Sequence, residues 1–203
     1  STVKDGKEIG DPTETALIKF ASDNGYNFEE IRSSYKRLGE VPFDSDRKLM
    51  SVAVKINESN FMITKGAPDV ILKRTTSALT SSGETEITDD IINNILNQNT
   101  AFSSKGLRVL AFAIKEFPNN FDMSKISVSD ENQLTFVGLT AMMDPPREES
   151  KEAVALCKKA GIRPVMITGD HKITATAIAK EIGIYEEGMN SLEGSELDLM
   201  SDD

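Results

Sequence analysis

Two consecutive prolines, Pro145-Pro146, separate stretches of different rhythm, and that change is the strongest constraint on the fold. Before them, short apolar runs read as strands: Lys36–Val41, Leu49–Ile56 with alternation through Met50, Val52 and Val54, Asn60–Thr64, and the strongly apolar Leu107–Lys115 and Leu134–Met142. The first three suggest an antiparallel sheet. After the prolines, a helix with Ala153, Leu156, Cys157 and Ala160 inside leads through Gly161 to a strand ending at Thr168. A helix with Ala175, Ile178, Ala179 and Ile182 follows. Strand, helix, strand, helix is the rhythm of a parallel α/β layer, so a boundary is expected near Thr140–Pro146, dividing residues 1–138 from 139–203.

Helix signals punctuate the first segment. Asp11 can cap a helix running to about Asp23, Pro12 suits its first turn, and Ala16, Leu17, Phe20 and Ala21 recur at helical spacing. A short helix is expected at Pro68–Lys73 and a longer one at Asp89–Ser104, whose Ile91, Ile92, Ile95, Leu96 and Phe102 form one apolar stripe closed by Gly106. Thr75–Glu86, rich in Ser and Thr, and the acidic tail Glu186–Asp203 read as loops or frayed ends.

At 203 residues and 38% hydrophobic content, the chain can bury one large core or two modest ones. Apolar runs stay short of the roughly 18 residues that span a bilayer, no signal-like run opens the chain, and Cys157 is the only cysteine. A soluble cytoplasmic chain is expected. A net charge of −10 argues against nucleic acid, since any phosphate site must gather cations locally from residues such as Arg47, Lys48, Lys65 and Arg108.

Two segments point to phosphate chemistry. Pro164-Val165-Met166-Ile167-Thr168-Gly169-Asp170-His171 stops an apolar run at a hydroxyl, a glycine and a carboxylate, which places polar groups at a strand end. Lys65-Gly66-Ala67-Pro68-Asp69 leaves a strand through a glycine and enters a helix, setting a cation beside free backbone donors.

Six motifs extend this pattern along the chain: Gly10-Asp11-Pro12-Thr13-Glu14-Thr15-Ala16-Leu17, Pro42-Phe43-Asp44-Ser45-Asp46-Arg47-Lys48, Lys65-Gly66-Ala67-Pro68, Gly106-Leu107-Arg108-Val109-Leu110, Asp144-Pro145-Pro146-Arg147 and Thr168-Gly169-Asp170. In this order they resemble the nucleotide-binding domain and adjoining phosphorylation-domain segment of P-type cation-transporting ATPases, the calcium-pump-like branch above all. The resemblance implies an α/β fold: an antiparallel sheet with flanking helices over residues 1–138, plus a partial haloacid-dehalogenase-like segment over 139–203. It also implies ATP binding. Phe43 would stack adenine, though a core Phe at a strand end is the plain alternative. Glu14 would accept from the exocyclic amine, or bond back to the helix start with Asp11. Lys48, Lys65 and Gly66 would line the pocket, and Arg108 would hold a phosphate or simply face outward from an edge strand. Thr168 and Asp170 would support the transferred phosphoryl group, Asp170 serving equally as a helix cap. Asp144 and Arg147 would form a hinge between domains, or cap the helix after Pro146.

The sequence departs from the family at three points. The Asp-Lys-Thr-Gly-Thr run with the phosphoryl acceptor and the Gly-Asp-Gly-Xaa-Asn-Asp run that binds magnesium do not occur. Ser45 stands where some calcium pumps carry an arginine near the phosphates, and Arg47 could compensate. His171 matches no functional position. The expectation is an excised piece of an integral membrane pump, lying on the cytoplasmic face, that binds ATP without completing phosphoryl transfer. Its partners would be ATP and the remainder of the pump, with Mg2+ and the transported cation, calcium by resemblance, belonging to the parent. A soluble phosphatase of the dehalogenase superfamily and a non-catalytic interaction domain with a vestigial pocket are the competing readings.

Overall fold

A computed structural model describes residues 2–4, 7–143, 147–169, 172–197 and 200, with side chains from residue 10 onward except at 148 and 195. The chain separates into two compact units, Ser1–Asn93 with Leu110–Met142, and Asn94–Val109 with Met143–Asp203.

The first unit is built on a seven-stranded sheet. Its strands are β3 (Arg37–Asp44), β4 (Leu49–Ile56), β5 (Ser59–Gly66), β6 (Thr75–Thr80), β7 (Gly83–Glu86), β8 (Leu107–Phe117) and β9 (Leu134–Met143), in the order β3-β4-β5-β8-β9-β6-β7. β3, β4, β5 and β8 pair antiparallel, as do β6 and β7, while β6 runs parallel to β9. β1 (Thr2–Lys4) and β2 (Lys7–Ile9) form a separate two-stranded sheet. The helices are α1 (Pro12–Asp23), α2 (Phe28–Ser34), α3 (Pro68–Leu72) and α4 (Asp89–Ser103), the last running into the second unit. α1 starts as its sequence requires: the Asp11 carboxylate accepts from the backbone N–H of Thr13 at 2.9 Å and of Glu14 at 3.3 Å.

Strand period decides what is buried. Along β5 every second residue is buried and the others are half-buried, and the register sets Ala53 opposite Met62, Ser51 opposite Thr64 and Leu49 opposite Gly66. With Ala111 and Ala113 of β8, these residues make one closed face. Two 3-10 turns, Met123–Lys125 and Val128–Asp130, cross the polar stretch 118–133 and contribute buried Met123 and Ile126.

The same connection brings Glu131 into the closed face with no exposed surface. Ser51 Oγ donates to Glu131 Oε1 at 2.7 Å and lies 2.8 Å from Thr64 Oγ1. Because the Ser51 proton is committed to the carboxylate, Thr64 is the donor in the second bond. Arg47 Nε stands 3.0 Å and Arg74 Nη1 3.7 Å from Glu131 Oε2, and Arg74 Nη1 also donates to the Glu131 backbone carbonyl at 3.1 Å. The Nε–Oε2 contact is close enough for strong attraction but poorly directed for a hydrogen bond.

Two sequence expectations are corrected here. Thr75–Glu86 is no loop: it forms the β6–β7 hairpin, in which Ser77 Oγ donates to Glu84 Oε1 at 2.5 Å and Thr135 Oγ1 to the same oxygen at 2.9 Å. Threonine suits a pleated surface, and the hydroxyls found partners across strands. In the second unit, α5 (Glu148–Lys159), α6 (Lys172–Glu181) and α7 (Gly194–Leu197) form, but the strand expected to end at Thr168 does not. Val165 is 72% and Ile167 94% exposed, and among the described residues no strand pairs with this segment. A parallel strand depends on neighbours remote in sequence, whereas a helix bonds within itself. Lys151 Nζ of α5 meets Glu181 Oε1 of α6 at 2.9 Å, and Lys172 Nζ meets Glu196 Oε2 of α7 at 2.8 Å.

Replacement of the fully buried Leu134 by alanine is expected to lower unfolding free energy by roughly 2–5 kcal/mol, and Ile167→Ala to change it by less than about 0.5 kcal/mol. Urea unfolding of both variants checks this, and a loss at Ile167 equal to that at Leu134 would mean that the segment before Thr168 is packed.

Candidate functional site

Pairing register gathers three strand ends at one edge of the sheet. Asp44 of β3 lies opposite Leu49 of β4, Leu49 opposite Gly66 of β5, and Met50 opposite Lys65. With strands about 4.8 Å apart, the Phe43 end of β3 and the Lys65 end of β5 are separated by roughly 10 Å of backbone.

The turn between β3 and β4 is tightly bonded. Asp44 Oδ1 accepts the Arg47 N–H at 2.7 Å, and the Asp44 carbonyl accepts the Lys48 N–H at 2.7 Å. Lys48 itself has φ 56°, a left-handed conformation that non-glycine residues adopt only when their surroundings hold them there. Its carbonyl accepts from the Ala67 N–H at 3.2 Å, which ties the turn to the chain just past β5. Gly66 is glycine for want of space, since a Cβ there would overlap the Lys48 carbonyl oxygen and lie 3.1 Å from Leu49 Cα. Arg47 Nη2 donates to the carbonyls of Pro42 at 2.6 Å and Leu49 at 2.8 Å. The guanidinium is thus engaged within the protein frame, and the expectation that Arg47 could stand in for a phosphate-binding arginine at Ser45 has no support in this geometry.

Phe43, at the bulged end of β3, is 64% exposed, so its ring is no part of the core. Lys65 is half-buried and pairs with Glu14 of α1. Glu14 therefore reaches the sheet edge, while the cap of α1 is supplied by Asp11. Burial holds the Lys65 ammonium below the usual lysine range, and the nearby Asp11 charge pulls the opposite way. Met50 and Phe112, both half-buried, flank Lys65 on the neighbouring strands. Sequence reasoning passed over both. Met50 was visible as part of an alternating strand, but only the register shows which neighbour it meets.

Lys48 is exposed on the turn. Arg108 is half-buried near the start of β8, in the part of that strand belonging to the second unit. Thr168 is exposed at the end of the irregular segment, and Asp170 and His171 lie outside the described residues. Asp144 also lies outside them. Arg147 occupies the N-cap position of α5 without a side-chain cap bond, as expected for a guanidinium, which has no acceptor. α3 is five residues long and already carries Asp69 in its first turn, so the anion-friendly corner after Lys65 is smaller and more acidic than its sequence implied.

Comparison with known proteins agrees with the motif order. The family model described as P-type ATPase, cytoplasmic domain N, matches residues 2–149. The chain is 46% identical over 199 residues to a calcium-transporting ATPase of Listeria monocytogenes, a match covering 98% of this chain and 22% of that protein. It is 44% identical over 200 residues to calcium-transporting ATPase 1 of Lactococcus lactis, covering 98% and 23%. The human sodium/potassium-transporting ATPase subunit alpha-4 is 36% identical over 192 residues, covering 91% and 19%. The chain spans about a fifth of the length of these curated relatives.

The charge balance at Lys65 can be tested without disturbing the helix start, because asparagine caps a helix about as well as aspartate. Asp11→Asn is expected to move the Lys65 titration, followed by NMR of its side chain, to still lower pH; no movement, or an upward one, would contradict the assigned cause. Because the folded-state value is already depressed, the folded protein binds fewer protons than the unfolded chain just below the ordinary lysine range. This group's contribution to stability therefore rises with pH through that window.

Proposed function

Because the chain belongs to the P-type ATPase family, as its cytoplasmic domain N, we propose that it binds ATP at the edge formed by the ends of β3, β4 and β5. Adenine stacks on the exposed ring of Phe43, Glu14 accepts from its exocyclic amine, and Lys65 and Lys48 supply positive charge, with Gly66 letting the Lys48 turn close against β5 beside Lys65. Arg108 contributes to phosphate binding. The observation that carries this reading is the half-buried, desolvated Lys65 at the same end of the sheet as the exposed ring of Phe43, two strands away. A cation withdrawn from water gains more from an anionic ligand than a solvated one does.

The parent protein, on this proposal, is an integral membrane pump that moves a cation at the expense of ATP. Calcium is favoured because relatives from Listeria and Lactococcus carry that name. Residues 1–138 are the nucleotide-binding domain on the cytoplasmic face, and 139–203 part of a haloacid-dehalogenase-like phosphorylation domain. The γ-phosphoryl of ATP passes to an aspartate outside this chain and ADP leaves, with Thr168 and Asp170 supporting the phosphoryl site and Asp144 and Arg147 acting as the hinge. Among the described residues no helix is long and apolar enough to cross a membrane. No group of three or more His, Cys, Asp or Glu among them is arranged to hold a metal ion; on this proposal magnesium belongs to the parent. Family membership displaces the soluble-phosphatase reading, while a vestigial pocket remains as an outcome of the binding test.

Calorimetric titration with ATP is the test. Phe43→Ala and Lys65→Ala are each expected to weaken binding while the fold persists; loss of a base stack is worth roughly 1–3 kcal/mol, or about 5- to 150-fold. Unchanged affinity in both variants, or no binding by the parent chain at millimolar ATP, would overturn the assignment. Omitting magnesium is expected to alter the affinity little.

A further inference from the structure

We infer that Glu131 is a positioning residue for the nucleotide site: its buried carboxylate holds Arg47, and Arg47 sets the turn that carries Phe43 and Lys48 to the sheet edge beside Lys65. The inference rests on the ATP reading above and assigns Arg47 to the frame of the site rather than to phosphate.

The connection runs through named atoms. Arg47 Nη2 bridges the carbonyls of Pro42 and Leu49, one on each side of the turn, so the guanidinium closes the mouth of the loop. Its own N–H is taken by Asp44 Oδ1, and the Lys48 carbonyl at the end of the turn meets the Ala67 N–H. The Arg47 side chain is 11% exposed, and a cation in that position needs a counter-charge. Glu131 Oε2 provides it at 3.0 Å, while Oε1 is fixed by the Ser51 hydroxyl at 2.7 Å. Arg74 Nη1, 3.7 Å from Oε2, adds a second cation, so one carboxylate serves two guanidiniums. Without its charge, Arg47 loses the attraction that holds it across the turn. The exposed ring of Phe43, which lies between Pro42 and Asp44, then loses its fixed position.

Glu131→Gln keeps the shape and an acceptor for Ser51 but removes the charge. Relative to the parent chain, it is expected to weaken ATP binding by at least about tenfold and to displace the amide resonances of residues 43–48 in the ligand-free protein. Adenosine, which has no phosphate, is expected to weaken as well, an outcome that a direct Arg47–phosphate contact would not produce. Phe117→Ala removes a core side chain at the far end of β8 and is expected to lower the unfolding midpoint without changing either affinity. Should Glu131→Gln fail to fold, Arg47→Lys gives the same reading, since one ammonium cannot span two carbonyls and the carboxylate together. A folded Glu131→Gln or Arg47→Lys variant with parental affinities and unmoved turn resonances overturns the inference, as does an equal loss of affinity in Phe117→Ala. Failure of the parent chain itself to bind ATP or adenosine is a different result, which removes the function reading and this inference with it.

Discussion

A carboxylate with no exposed surface, placed between two guanidiniums and a serine hydroxyl, holds together parts of the chain that share no local signal. Withdrawing such a charge from water costs several kcal/mol, offset here by the Ser51 hydrogen bond to Oε1 and the two guanidinium charges beside Oε2. Those partners come from β4, from the turn before it and from the chain after α3, with Ser51 and Glu131 80 residues apart in sequence. Through Thr64 the contact extends to β5. The Glu131 cluster therefore ties together β4 and β5, two of the three strands whose ends form the candidate site.

A second electrostatic tension lies on the opposite face of the same strands. Burial pushes the Lys65 ammonium below the usual lysine range, the Asp11 charge pulls it back, and Glu14 pairs with it. In the ligand-free protein Glu14 and Lys65 satisfy each other.

Local physics was legible in the sequence and remote pairing was not. The cap of α1 at Asp11 and the strand at Leu49–Ile56 depend on neighbours a few residues away, and the structure has both, although the fully buried face of that strand is Leu49, Ser51 and Ala53 rather than the alternation through Met50, Val52 and Val54. The β6–β7 hairpin was hidden because Ser and Thr are also loop residues; their role appears only once Glu84 and Thr135 lie beside Ser77. Glu131 drew no notice, since one acid in a polar stretch has no periodic or motif signature. Arg47 was noticed for the wrong partner, because its carboxylate lies far along the chain. Phe43 and Glu14 were singled out through motif resemblance and Lys65 also through its place between a strand and a helix; register sets the Phe43 and Lys65 strand ends at one end of the sheet, and an ion pair joins Glu14 to Lys65.

The contrast between the two units follows from how each kind of element satisfies its backbone. In the first unit every strand of the large sheet has a partner, so the edge holding Phe43 and Lys65 is set by pairing that the unit itself supplies. In the second, α5 and α6 form because a helix closes its own hydrogen bonds, and ion pairs such as Lys151–Glu181 join them. The apolar residues Val165 and Ile167 have the composition of a buried parallel strand, but composition cannot provide neighbours. Thr168, at the end of that segment, is aimed only as well as the segment is held. On the proposed reading, nucleotide binding and phosphoryl support would thus make different demands on the chain: the first would draw mainly on a sheet already paired, and the second on strand pairing that the described residues do not contain.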